Sequence, residues 1–337
     1  MKELIIHPVR LQLKKAFKIS YGTYYHRDGI IVALKEGNYV GYGEATAISY
    51  YGKSQKKFIE ILTKFKPFIE QLDWDEPTQF WTQLAQKMGQ YPFLLCALDV
   101  AAHDLWAKKQ EKPLYKAWNL SLDNLPLTNY TISIDSVENM LNQMKAYPNP
   151  IYKIKLDKNF DLEKIKVLRQ YSDAIFRVDA NGAWSASETI NYAKQLRELE
   201  VEFIEQPLPA SDNEAMEQVF RESALPVIAD ESCQTEHDVA KCHNRFHGIN
   251  IKLMKCGGYT PALRMIQEAK ARNMKVMCGC MTESSIGISA IAQLLPLLDY
   301  VDMDGALLLK NDPAIGVKIE NGKVIFPEAN GIGAKLI

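Results

Sequence analysis

Six charged residues recur along the second half of the chain at a spacing that suits shared chemistry: Lys155, Asp179, Glu205, Asp230, Lys252 and Asp304. The first five stand 24, 26, 25 and 22 residues apart, and the last gap, 52 residues, spans two such units. Each closes a short apolar run. One acid at the end of a strand is often only a helix N-cap or a solvated loop charge. Six in phase do not fit that reading, and two of them are lysines, which lack the acceptor a cap needs. Asp179, Glu205 and Asp230 offer hard oxygen ligands, and three negative charges brought together need a cation. An all-oxygen set suits Mg²⁺ over zinc, with Mn²⁺ as the alternative. Lys155 and Lys252 flank the trio in chain order, so a substrate held there would have an amine on each face. Such a pair can remove a proton from one face of a carbon and return one to the other. Nearby cations and partial desolvation are expected to lower a lysine's pKa toward neutrality, where it serves as a base.

The elements that must position these residues form a repeating pattern. Apolar runs at 128–133, 152–156, 174–179, 201–205, 226–230, 248–252, 275–279 and 300–304 are separated by amphipathic helical stretches such as 161–171 and 185–199. Alternating buried strands and helices mean a parallel sheet, and eight strands mean a barrel whose active site gathers at the C-terminal strand ends. No helix of normal length follows Asp304, so the pattern predicts an α/β fold with a modified (β/α)₇β TIM-type barrel at 125–310. Residues 1–124 read differently. Strands near 3–14, 29–36 and 39–46, the last two joined by Glu36-Gly37-Asn38, precede helices near 54–71, 75–88 and 91–110 and a short piece opened by Pro113. This is an α+β capping domain. The tail, 311–337, holds a hairpin signal around Asn321-Gly322 and is expected to return to that domain and complete it.

Composition sets the surroundings. The 337 residues are 47% hydrophobic and 24% charged, with a formal net charge of −1. That balance provides no field for recruiting nucleic acid or an anionic membrane. The first residues read as a strand and not as a signal peptide, and no run approaches the roughly 18 apolar residues of a membrane helix. The six cysteines have no disulfide-framework spacing, which suits a reducing, cytoplasmic setting. Cys278 and Cys280, with His237, His243 and His247, raise the idea of zinc, but no second close pair completes a tetrahedral site.

The motifs carrying these residues resemble the muconate-lactonizing subgroup of the enolase superfamily. They are Lys153-Ile154-Lys155, Asp179-Ala180-Asn181, Glu205-Gln206-Pro207, Asp230-Glu231-Ser232 and the stretch from Ile251 to Gly258, in that order. In the first domain, Gly41-Tyr42-Gly43-Glu44-Ala45 and the stretch from Ala97 to Asp104 are similar to that subgroup's capping-domain motifs. The resemblance implies Mg²⁺ on Asp179, Glu205 and Asp230, with Lys155 and Lys252 as the acid/base pair. It implies that Lys153 neutralises a substrate carboxylate and that Asn181 and Glu231 support the ligands and lysines. Lys255 has two readings, a supporting residue or a solvated loop lysine.

Asp302-Met303-Asp304 resembles the aspartate pair with which dipeptide epimerases hold the substrate's α-ammonium; residues 302 and 304 share a strand face. Asp302 also has a simpler reading as a loop cap. The substrate implied is a dipeptide, and a homo-oligomer is left open. Epimerases acting on Ala-Glu tend to carry an arginine in the capping loop, where this chain has Gly22, with Arg27 five residues on. Gly22 and Tyr24, with Tyr21 and Tyr25, therefore point to an Ala-Ala-like or hydrophobic dipeptide, although the tyrosines also suit packing at a domain seam. The rivals are o-succinylbenzoate synthase or cycloisomerase chemistry and a non-catalytic metal- or ligand-binding barrel.

Overall fold

The computed structural model describes residues 2–19 and 22–337. Strands β1 (Lys2–Ile19), β2 (Gly22–Glu36) and β3 (Tyr39–Thr46) form an antiparallel sheet in that order. The apolar run Ile30, Ile31, Val32, Ala33 and Leu34 is buried along its whole length, as suits a central strand covered on both faces. The β1–β2 pair extends well beyond the expected 3–14 and 29–36. After a register shift between Gln12 and Phe17 it continues through Phe17 opposite Tyr24 to Ile19 opposite Gly22. Alternation in the sequence did not mark this arm, because what it packs on is another domain.

Helices α1 (Gln55–Gln71), α2 (Pro77–Met88) and α3 (Pro92–Lys109) follow. Ser54 caps α1 by accepting from the Lys57 amide, and α2 and α3 each begin with proline, whose missing N–H costs nothing there. Helix α3 is buried nearly all round and lies directly against β3. A Cβ at Gly41 would stand 2.0 Å from the Ala101 carbonyl oxygen, and one at Gly43 would stand 1.9 Å from that of Ala97. Only glycine permits this strand–helix approach.

The second half is a sheet of eight parallel strands in chain order. They are β4 (Tyr130–Ile132), β5 (Ile151–Lys155), β6 (Ile175–Asp179), β7 (Val201–Glu205), β8 (Val227–Ala229), β9 (Gly248–Ile251), β10 (Lys275–Gly279) and β11 (Tyr300–Asp302). A parallel bridge between Thr128 and Val301 joins the first strand to the last and closes the barrel. Helices connect successive strands, and β11 is followed only by a 3₁₀ turn, Gly305–Leu308. Residues two apart share a strand face. Phe203, Ile228 and Met277, each two positions before a residue at the mouth, therefore pack with Tyr300 as an apolar floor beneath it.

The tail forms the hairpin Lys318–Glu320 with Lys323–Ile325, turning on Asn321 and Gly322, both at positive φ. It then returns to the first half: the Leu114 amide donates to the Gly331 carbonyl at 2.7 Å and the Ile332 amide to Asp104 Oδ1 at 2.7 Å. Among the described residues no helix is long and apolar enough to cross a membrane.

Candidate active site

Strand ends bring the charged residues together. Asp179 and Glu205 are the last residues of β6 and β7, and Asp230 is the first beyond β8. All three are fully buried, with carboxylate oxygens within 4.8 Å of one another. Lys155, ending β5, places Nζ 2.6 Å from Asp179 Oδ2, and Lys252, just beyond β9, places Nζ 2.7 Å from Asp230 Oδ2. The two amines thus approach the trio from opposite sides. Both line a cavity of about 100 Å³ at the barrel mouth.

Neighbouring side chains brace this arrangement. Lys255 is buried, so the solvated-loop reading is wrong. Its ammonium donates to Asp230 Oδ1 at 2.6 Å, to the Asp230 carbonyl at 2.5 Å and to the Cys233 carbonyl at 3.0 Å. The short helix Leu253–Cys256 turns the chain back immediately after Lys252, and that turn carries Lys255 inward. Asn181 donates to Glu231 Oε1 at 3.3 Å behind the trio.

Two supports had no role assigned from sequence. The Gln206 amide oxygen accepts from the Asp230 and Ser232 amides at 2.9 and 3.0 Å, clamping the end of β7 to that of β8. Asn250 donates to Glu205 Oε1 at 2.8 Å, in space kept open by Gly279. Its signal was its place two residues before Lys252, on the same strand face.

Protein charges set the titration of the group. Burial alone would raise the pKa of Asp179, but the Lys155 and Lys153 ammonium groups overcome it and hold the value at about 2. Burial likewise opposes ionisation of Asp230, and Lys252, Lys255 and Lys153 hold it far below the usual carboxylate range. Glu205 is pushed up to about 7 by burial and by Asp179. Lys252 corrects an expectation. Burial favours its neutral form, but Asp230 outweighs that and raises its pKa well above the ordinary lysine value. Among the protein's own charges the Asp230 carboxylate raises the value and the Lys153 ammonium lowers it, and the carboxylates prevail.

A second acidic pair shares the cavity. Asp302 accepts from Asn129 Nδ2 at 2.7 Å and from Lys153 Nζ at 2.8 Å, and Asp304 accepts from the Thr131 amide at 2.6 Å. Asp302 is buried and its side chain bonds to Asn129, just before β4, and to Lys153 on β5, which excludes the loop-cap reading. Asp304 is pushed up to about 7 by burial and then by Asp302. Lys153, fully buried, links the two acidic groups, lying 3.0 Å from Asp179 and 2.8 Å from both Glu205 and Asp302. Cys280, unassigned from sequence, brings its sulfur within 4.8 Å of oxygens of Asp302 and Asp304.

The first domain covers the mouth with Phe17, Tyr24, Arg27, Ile48, Tyr50 and Tyr51. Tyr24 is on the cavity wall as expected. Gly22 is not, and the structure brings Arg27 there instead. The Arg27 guanidinium lies 3.4 Å over the Tyr24 ring, 7% exposed, and its Nε finds no acceptor among the described residues. The strand continues through 22–27, with Gly22 opposite Ile19 and Arg27 opposite Leu11, and of the two it is Arg27 that lines the cavity. Tyr25 points out, 70% exposed, and Tyr21 lies outside the described residues.

A buried trio of carboxylates between opposed amines, at the mouth of a capped β/α barrel, is an arrangement suited to moving protons next to carboxylates. The chain belongs to the enolase superfamily: residues 136–337 match the family described as enolase C-terminal domain-like, and residues 1–117 match the mandelate racemase / muconate lactonizing enzyme N-terminal domain. It is 48% identical over 335 residues to the L-Ala-D/L-amino acid epimerase of Flavobacterium johnsoniae, covering 99% of this chain and 100% of that one. It is 53% identical over 327 residues to the enzyme of the same name from a Maribacter species, covering 97% of each. Among solved structures it superposes on the Cytophaga hutchinsonii dipeptide epimerase, complexed with Mg and D-Ala-L-Val. That match has a TM-score of 0.93 at 26% identity and covers 100% of this chain and 96% of that one.

Proposed function

We propose that this chain is a Mg²⁺-dependent dipeptide epimerase that inverts the α-carbon of the C-terminal residue. One observation carries the reading: two lysines face each other across an oxygen-ligand trio, in a cavity that also holds a paired carboxylate. The relatives' activities support it. Asp179, Glu205 and Asp230 fit a hard divalent cation by donor type and spacing. Bound Mg²⁺ supplies the positive charge that the substrate carboxylate and the charge developing on it require, and it offsets the carboxylates' hold on Lys252. Lys155 or Lys252, whichever is neutral, takes the α-proton from its own face, and the opposite lysine, protonated, returns one. Asp302 and Asp304 hold the α-ammonium, and Lys153 balances charge between that pair and the substrate carboxylate. Asn181, Glu231, Lys255, Gln206 and Asn250 keep ligands and lysines aligned. The six free thiols support a cytoplasmic setting.

Phe17, Ile48, Tyr24, Tyr50 and Tyr51 favour a small or hydrophobic side chain on the epimerised residue. Arg27 favours a second reading, L-Ala-L-Glu, because its buried Nε has no acceptor among the described residues and would gain one from a side-chain carboxylate. A dipeptide library in ²H₂O with Mg²⁺, scored by mass for a gain of about one dalton, tests both. Labelling of Ala-Leu or Ala-Phe above Ala-Glu supports the hydrophobic reading, and the reverse order supports the second. No labelling of any dipeptide rejects epimerisation.

A further inference from the structure

The motif Gly41-Tyr42-Gly43-Glu44-Ala45 takes no part in the chemistry above, yet it reaches the cavity wall from the other domain. Gly41 and Gly43 fix β3 against the backbone of α3, so the direction of the following side chains is set. Glu44 and Thr46, two apart on one face, then project toward the loop that follows β10. Glu44 is 2% exposed, and its carboxylate accepts from the Ser284 amide at 3.0 Å, from Ser284 Oγ at 2.5 Å and from the Gly287 amide at 3.2 Å. These donors open the helix Ser285–Ala292, where the first amides lack partners of their own and the helix dipole favours an anion. Thr46 Oγ1 donates to the Thr282 carbonyl at 3.3 Å.

The loop itself is compact. Glu283 folds back to accept from the Met281 amide at 2.7 Å, and Gly287 leaves it room, since a Cβ there would stand 1.9 Å from Glu283 Oε2. Cys280, Met281 and Thr282 line the cavity, and the Cys280 amide donates to the Asp302 carbonyl at 2.7 Å, next to the acidic pair. The side chains of one capping strand therefore hold the segment that walls the cavity beside Asp302 and Asp304.

We propose that Glu44 is a positioning residue for substrate recognition: it ties the 280–282 wall to β3, so that dipeptide binding, and not proton transfer, depends on it. The proposal rests on the epimerase reading of the site. Glu44 is too far along β3 to be a ligand or base, since its bonds run to the loop and helix and none to Lys155, Lys252 or the trio.

The test compares wild type with Glu44→Leu, which removes every acceptor, Glu44→Gln, which keeps one, and Ser284→Ala, which removes the shortest bond. Deuterium uptake by L-Ala-L-Leu gives KM and kcat, and amide hydrogen exchange is followed over 280–287. Loss of binding common to substrate and transition state should raise KM about tenfold in the leucine variant, with kcat within about twofold. The glutamine variant should recover most of that loss, and both should exchange faster across 280–287. If the leucine variant does not fold, the glutamine and alanine variants should still show a KM rise of about threefold with kcat held. An unchanged KM overturns the proposal, as does a fall in kcat with KM unchanged, and both leave the epimerase reading intact because wild type turns over in the same assay. Should wild type not label L-Ala-L-Leu, the same variants are read with L-Ala-L-Glu; should wild type label neither these nor any other dipeptide, the epimerase reading falls, and so does the proposal built on it.

Discussion

Lys155 and Lys252 each sit against one carboxylate of the trio, and that pairing makes their roles separable. In the proposed mechanism, removing either amine takes away proton transfer on one face only. We expect Lys155→Ala and Lys252→Ala each to slow epimerisation by about 10²–10⁴-fold. Each should retain α-hydrogen exchange with one epimer and lose it with the other, as followed by NMR in ²H₂O with the separate L,L and L,D dipeptides. Lys255 differs because its contribution is structural. Its ammonium bonds Asp230 in a fully buried setting, and Lys252 would remain beside that carboxylate if Lys255 were lost. Lys255→Met should therefore cost about 3 kcal/mol, the lower end for breaking a buried pair, measured by urea unfolding at neutral pH without Mg²⁺.

At the scale of elements, the seam between α3 and the helix Tyr259–Ala271 carries a buried acid that no catalytic step uses. Asp99 accepts from the Thr260 amide and hydroxyl, both at 2.8 Å, and Gly258 must lack a side chain because a Cβ would stand 2.4 Å from Asp99 Oδ2. Burial pushes the Asp99 carboxyl up to about 7, against the opposing hydrogen bonds from Thr260. Its folded pKa exceeds the unfolded one, so the folded state binds the extra proton. The stability it contributes is fully present below about pH 4 and is lost as pH rises through about 7. Asp99→Asn should flatten the stability curve over that window, measured by denaturant midpoints from pH 4 to 8. An equally steep curve in the variant would assign the slope to other groups.

For the whole molecule, the trio concentrates three buried carboxylates that folding alone brings together, and their repulsion is met by lysines or by a cation. Mg²⁺ binding should therefore register as stability. At about 100 times its dissociation constant, a ligand specific to the folded state adds about 2.7 kcal/mol. Calorimetry in excess Mg²⁺ should show a higher Tm than in chelator, and Glu205→Gln should shrink that difference. Identical Tm values in wild type would argue against a cation on these residues.

How much of this was legible in the sequence follows from how far each signal travels along the chain. The period of the residues from Lys155 to Asp304 is local information, and strand alternation turns it into a ring at one barrel mouth, so the trio, the two amines and Asp304 could be read directly, while Asp302 entered through the resemblance to dipeptide epimerases. Lys255 could not be resolved, because only the turn after β9 decides whether a lysine three residues past Lys252 points in or out. Asn250 and Gln206 act across neighbouring strands, and their partners lie 45 and 24 residues away. Lys252's raised pKa comes from Asp230, which faces it only once β8 and β9 are paired. Arg27's place over the cavity, in the stead of Gly22, required the register of β1 with β2 and the seating of that pair over the barrel. The sequence by itself determined which side chains end each strand, because two- and 3.6-residue periods are properties of adjacent residues. The tertiary structure decided which charges meet and which amine each carboxylate holds, because those energies depend on distances between segments the chain brings together only on folding.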